Sequence, residues 1–160
     1  MRTYADMTFE EVMEAFADTV TRLAYLRMGN EQDAKDIFQN VFLKLYTQTM
    51  EFHDPQHVKA WLIQATIHAC ADEHRKFWRK HHMRVDEAFA QVEDVQERNE
   101  LYELMELVPN HRNALYLYYY EGYSIREISR LMNARENTVK SWMRRGKQEL
   151  RSLLGGEEDA

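Results

Sequence analysis

The sequence predicts an all-α protein: two small helical domains joined by an acidic linker, the C-terminal domain a helix-turn-helix. Three observations carry that expectation. Apolar residues recur at three- and four-residue spacing, only five Gly and two Pro interrupt the 160 residues, and charge changes sign in blocks. The net charge of −6 would argue against nucleic acid if it were evenly spread, but it is not. Residues 1–50 hold five basic and eight acidic side chains, residues 51–82 five and four, residues 83–108 two and eight, and residues 109–154 nine and four. An acidic stretch thus separates two basic ones, and a chain of this length accommodates two small units. The expected division is 1–82, a linker over 83–98, a second domain over 99–154 and an acidic tail over 155–160.

Thr8 and Glu11 form a capping box, in which each side chain satisfies an otherwise orphan backbone N–H at a helix start. Phe9, Val12, Met13, Phe16, Val20 and Leu23 follow at helical spacing, and Gly29-Asn30 marks the end. A second helix carries Ala34, Ile37, Phe38, Val41, Phe42, Leu45 and Tyr46 as a wide apolar stripe, with Asp33, Asp36, Gln39 and Asn40 on the opposite edge. Asp54-Pro55 opens a third, because proline needs no backbone N–H in the first turn. Its inner face holds Val58, Trp61, Leu62, Ala65 and Ala69, and it runs into Arg75, Lys76, Arg79 and Lys80.

From Met83 to Arg98 acids are frequent and apolar residues few, the composition of a linker. Leu101, Leu104 and Leu107 then begin the second unit, and Pro109 opens a helix predicted to end at Gly122. Ser124 and Glu127 form another capping box, and Ile125, Ile128 and Leu131 bury the short helix behind it. Asn133 suits the left-handed backbone of a tight turn. The last helix should turn Val139, Met143, Leu150 and Leu153 inward and Lys140, Arg144, Arg145 and Lys147 outward, the layout of a DNA reader.

Cys70 stands alone and pairs with no second cysteine, and neither a basic-then-apolar leader nor a membrane-length apolar run opens the chain. A reducing cytoplasm and no membrane insertion are expected. His68, Cys70, Glu73 and His74, with His81 and His82 nearby, motivate a metal-dependent hydrolase as an alternative. Helical spacing allows Cys70 and His74 one site but sets His68 apart, so solvated histidines are the favoured reading and no cofactor, metal or catalytic set is expected. An autonomous helix-turn-helix regulator is the second alternative, and it leaves the N-terminal unit unexplained.

Two stretches resemble the extracytoplasmic-function group of bacterial sigma factors. One is Asp33-Ala34-Lys35-Asp36-Ile37-Phe38-Gln39-Asn40-Val41-Phe42-Leu43-Lys44-Leu45, followed by Lys59-Ala60-Trp61-Leu62 and by Asp72 with a basic end. The other is Leu107-Val108-Pro109, then Tyr120-Glu121-Gly122-Tyr123-Ser124-Ile125-Arg126-Glu127-Ile128, then Asn137-Thr138-Val139-Lys140-Ser141. The resemblance implies a non-enzymatic transcription factor whose partners are core RNA polymerase, promoter DNA and an anti-sigma factor. Asp33, Asp36, Gln39 and Asn40 would dock on the polymerase, as carboxylates and amides suit a basic partner. Arg75, Lys76, Arg79 and Lys80 would neutralise phosphates at the melted −10 element, with Trp78 stacking on a base. Trp61, on the apolar stripe, reads as core instead.

In the C-terminal reader the resemblance assigns Thr138, Lys140, Ser141, Arg144 and Arg145 to the −35 element, where Arg bonds guanine O6 and N7. Four positions depart from the family pattern. His68 stands where asparagine is usual, Gln64 and Trp142 where arginine is frequent, and Arg135 where a capping serine is. The acidic stretch Asp86–Glu106 has two readings, a mimic of nucleic acid in the RNA exit path or a solvated tether.

Overall fold

The computed structural model describes residues 2–77 and 107–153, with side chains for 2–73 and 107–153. All six helices among them are α, and the chain divides into two compact units, Met1–Arg84 and Val85–Ala160. The expected linker, 83–98, and the start of the second domain lie outside the described residues.

In the first unit α1 (Phe9–Met28) begins at the Thr8 capping box and ends at Gly29, whose φ of 79° is a left-handed cap conformation that a side chain would strain. Asn30 at once caps α2 (Glu31–Tyr46). A loop then leads to α3 (Pro55–Phe77), at whose entrance the Asp54 carboxylate accepts from the His57 backbone N–H at 2.8 Å. The three helices pack pairwise around Val12, Val20, Leu23, Ile37, Leu45, Leu62 and Ile63, all fully buried. Removing that apolar surface from water holds the unit together, at roughly 25 cal/mol per Å².

The residues ahead of the Thr8 cap also take part in this core. Tyr4 and Met7 exchange backbone hydrogen bonds across a tight turn with Ala5 and Asp6 at φ 53° and 69°, which buries the Tyr4 ring against Phe9 and Phe52. Arg2 covers that ring with its guanidinium 5.0 Å from the centroid. Tyr46, expected on the apolar stripe, is instead 62% exposed. As the last residue of α2 it only meets Phe9 edge-on, at 5.3 Å.

The second unit comprises α4 (Pro109–Tyr119), α5 (Ile125–Leu131) and α6 (Glu136–Leu153). The helix expected to reach Gly122 stops at Tyr119, and Gly122 serves the turn beyond it with φ 79°. Ala114, Leu115, Leu117, Ile128, Val139 and Met143 form the core. Gly146 lets α6 approach α4, since a Cβ there would lie 2.7 Å from Leu115 Cδ1. One turn on, His111 Nδ1 of α4 and Glu149 Oε1 of α6 are 3.1 Å apart. His111 stands near the start of α4, so α6 outruns its partner beyond Glu149. That is why Leu153, expected inward, is 50% exposed, while Leu150 is half-buried.

Candidate nucleic-acid and protein interfaces

On α2, Asp36, Gln39 and Asn40 are exposed and share one edge with about 100° between the extremes, as 3.6 residues per turn dictates. Asp33 differs from them. It is half-buried, its N–H donates to Asn30 Oδ1 at 2.9 Å, and its Oδ2 accepts from Asn30 Nδ2 at 2.7 Å. Part of its hydrogen-bonding capacity therefore serves the helix cap. Leu43, seven residues after Asp36 and 63% exposed, sits in the middle of this polar edge. Sequence reasoning passed over it, although a large apolar residue on the polar face of an amphipathic helix was a legible signal. Beside it opens a cleft lined by Asn40, Leu43 and Thr47 of the α2 side and by Asp72 and Glu73 of α3. The edge is thus acidic and amide-rich around one exposed apolar side chain.

Arg75 and Lys76 fall in the last turn of α3, and their side chains lie outside the described residues. Trp78, Arg79 and Lys80 lie outside them altogether. On the described part of α3, His68 is exposed and Gln64 half-buried. Trp61 is half-buried at the rim of the core, edge-on to Phe52 at 6.3 Å. Cys70 is fully buried and His68 is not, so the two point to different surroundings. Among the described residues no three of His, Cys, Asp and Glu are grouped to hold a metal ion. Arg27 on α1 is also buried, and desolvation lowers its pKa, an effect partly offset by Cys70.

In the second unit the Ser124 hydroxyl accepts from the Glu127 N–H at 3.1 Å while Glu127 Oε1 accepts from the Ser124 N–H at 2.9 Å, which fixes the start of α5. Asn133 takes φ 54° in the turn, and α6 begins with the Arg135 carbonyl accepting from the Val139 N–H. Arg135 thus holds the cap position without a capping hydroxyl. Val139, Met143 and Gly146 face the core. Lys140, Arg144 and Arg145 are exposed, whereas Thr138, Ser141 and Trp142 are half-buried.

Turning about 100° per residue, α6 brings Lys140, Arg144, Lys147 and Arg151 onto one stripe, with Ser141 and then Arg145 and Thr138 round its other side. The predicted base-reading set is therefore brought onto one helix but spread over two-fifths or so of its circumference. A cleft runs along the basic stripe, lined also by Tyr118, Ile125 and Met143. Tyr118 and Tyr119 are exposed and meet edge-on at 4.9 Å, and Lys147 Nζ lies 5.8 Å from the Tyr119 centroid. Neither tyrosine was singled out in the sequence, where they read only as part of a helix. Tyr123, in the turn before α5, has its pKa raised to about 12 by burial and by Glu121 and Glu127.

Residues 12–80 match the family model for Sigma-70 region 2, and residues 98–150 that for Sigma-70, region 4. The ECF RNA polymerase sigma factor SigE of Mycolicibacterium smegmatis is 29% identical over 159 residues, an alignment covering 92% of this chain and 62% of that protein. SigM of Bacillus subtilis is 29% identical over 160 residues, covering 92% and 95%. Of solved structures, the sigma factor RpoE in complex with the anti-sigma factor NepR from Bartonella quintana superposes with a TM-score of 0.73 at 19% identity, covering 92% of this chain and 96% of that one. CnrH in complex with the cytosolic domain of CnrY gives 0.67 at 19%, covering 92% and 87%. These two likenesses concern the fold. With both region models matched in order and the relatives aligned along nine-tenths of its length, the chain belongs to the extracytoplasmic-function group of sigma factors, alternative subunits that direct RNA polymerase to particular promoters.

Proposed function

We propose that the chain acts in the cytoplasm as a non-enzymatic specificity subunit, with its units spanning 1–82 and 99–154, a linker over 83–98 and a tail over 155–160. The observation that carries this reading is the opposite character of two exposed helix faces, acidic and amide-rich on α2, basic on α6. Asp36, Gln39 and Asn40, with Asp33 at their cap, make charge-assisted hydrogen bonds to a basic surface of core polymerase. Arg75, Lys76, Arg79 and Lys80 neutralise phosphates of the opened −10 element, and Trp78 stacks on an unpaired base. The unstacking penalty of a few kcal/mol is offset by such contacts, so melting needs no chemical catalyst.

On α6, Thr138, Lys140, Ser141, Arg144 and Arg145 enter the major groove of the −35 element, backed by the core side chains Val139 and Met143. Two exposed working faces in the free protein also fit control by an anti-sigma partner, the state in which the Bartonella quintana sigma factor was solved.

The test is transcription from a pool of genomic templates by core polymerase with and without the chain. New starts are expected only with it, and Asp36→Ala with Gln39→Ala should remove them by weakening polymerase binding in a pull-down while leaving the thermal unfolding midpoint unchanged. Tight operator binding by the chain without polymerase, and no new starts with it, would instead establish an autonomous regulator.

A further inference from the structure

We propose that Tyr119 is a positioning residue for DNA binding, its ring holding the Lys147 ammonium level with a phosphate on the wall of the −35 major groove. This rests on the reading of α6 given above and adds to it a contact that carries affinity without sequence preference.

Lys147 follows Lys140 by seven residues and Arg144 by three, so it shares their stripe, about 20° short of two full turns from Lys140. The same seven residues put it about 10 Å further along the helix axis. A helix-turn-helix reads bases with the N-terminal residues of its second helix, and the major groove is about 8.5 Å deep. A side chain on the reading stripe but a groove depth back from its start therefore stands level with the sugar-phosphate wall, not with the base edges. Lysine suits that place, because its ammonium is a compact point charge, whereas the fork of arginine matches a guanine edge.

The tyrosine supplies what an exposed lysine lacks. Lys147 rides on a flexible four-carbon stem, which loses rotamer freedom when the ammonium settles on a phosphate. Its Nζ already lies 5.8 Å from the Tyr119 centroid, within cation–π range, and Tyr118 meets that ring edge-on at 4.9 Å. Tyr118 and Lys147 also line the cleft along the stripe, so the three side chains form one array from α4 to α6. Tyr119 is 60% exposed, so its ring adds little to the core and presents its face to the lysine. A ring on one side of an ammonium leaves N–H donors on the other for phosphate oxygens.

The test uses the full chain and a duplex that it selects from a random pool, with affinity read by anisotropy over a series of salt concentrations. Lys147→Ala should weaken binding on the order of 3- to 10-fold and reduce the salt slope by about 0.9, the share of one phosphate. That loss should be equal on the selected duplex and on its single-base variants, whereas Arg144→Ala should change the preference among them. A neutral methylphosphonate linkage walked along both strands should reproduce the loss at one position, where Lys147→Ala then has no further effect. Tyr119→Phe should bind like the unchanged chain and Tyr119→Leu about 2- to 5-fold more weakly, but not in a Lys147→Ala background. An unchanged salt slope in Lys147→Ala, a loss that varies with base sequence, or equal Tyr119→Leu losses in both backgrounds overturns the proposal and leaves base reading by Arg144 standing. If the unchanged chain selects no duplex, the reading of α6 and the role of Tyr119 fall together.

Discussion

Gly146 has no side chain to offer, and Leu115 leaves no room for one. A methyl there would meet a Leu115 side chain that is 2% exposed and cannot swing into solvent. Gly146→Ala should therefore destabilise the second unit by about 1–2 kcal/mol, overpacking outweighing the better helix propensity of Ala. A lowered urea midpoint checks this, and adding Leu115→Val should restore part of the loss. Asn113 poses the opposite case. It is 0% exposed, and neither of its amide atoms has a hydrogen-bond partner among the described residues. Asn113→Leu, similar in shape and apolar, should raise stability by about 1–2 kcal/mol, because an unsatisfied buried amide is replaced. An unchanged or lower melting temperature would refute that account.

At the scale of elements, each described helix start makes its own local arrangement, and α2 combines two tasks in one turn. Asn30 and Asp33 bind each other at its start, and the working edge begins one turn later at Asp36. Separating stability from binding on this helix therefore means leaving Asp33 alone and changing Leu43, which is 63% exposed. Leu43→Asp should leave the unfolding midpoint within about 0.5 kcal/mol, as exposed substitutions do, yet weaken polymerase binding at least tenfold. Competitive pull-down against the unchanged chain measures it, and equal competition removes Leu43 from the interface. The helix pattern itself was legible, because apolar spacing and caps are local. Leu43 was legible too, as an apolar residue on a polar face, but Tyr118 and Tyr119 were not, because what makes them notable is what fails to cover them.

For the whole molecule, each unit carries among its described residues a tyrosine whose ionisation is opposed by the fold. Tyr25 in the first and Tyr123 in the second are each raised from 10.0 to about 12, chiefly by burial and then by Glu31 in one case and Glu121 and Glu127 in the other. A raised acid pKa means that the folded state keeps its proton when the unfolded state has lost it. The stabilisation is thus complete below about pH 10 and is lost as pH rises toward about 12. Thermal unfolding followed by circular dichroism over that window should fall in both units, and Tyr25→Phe with Tyr123→Phe should flatten the decline. A double variant that declines just as steeply would falsify the assignment.

By itself the sequence determined the all-α class, the capping boxes at Thr8 and Ser124, the left-handed turn at Asn133 and the alternation of acidic and basic stretches. Each of these is settled by residues a few positions apart. Tertiary structure alone decided that Tyr4 would close over Phe52, that α6 would need a glycine against Leu115, that Asp33 would be half-buried at a cap and that Leu153 would stand beyond the start of α4. Those depend on which surfaces meet and where a partner helix stops, and burial is a property of the assembled core that no local spacing encodes.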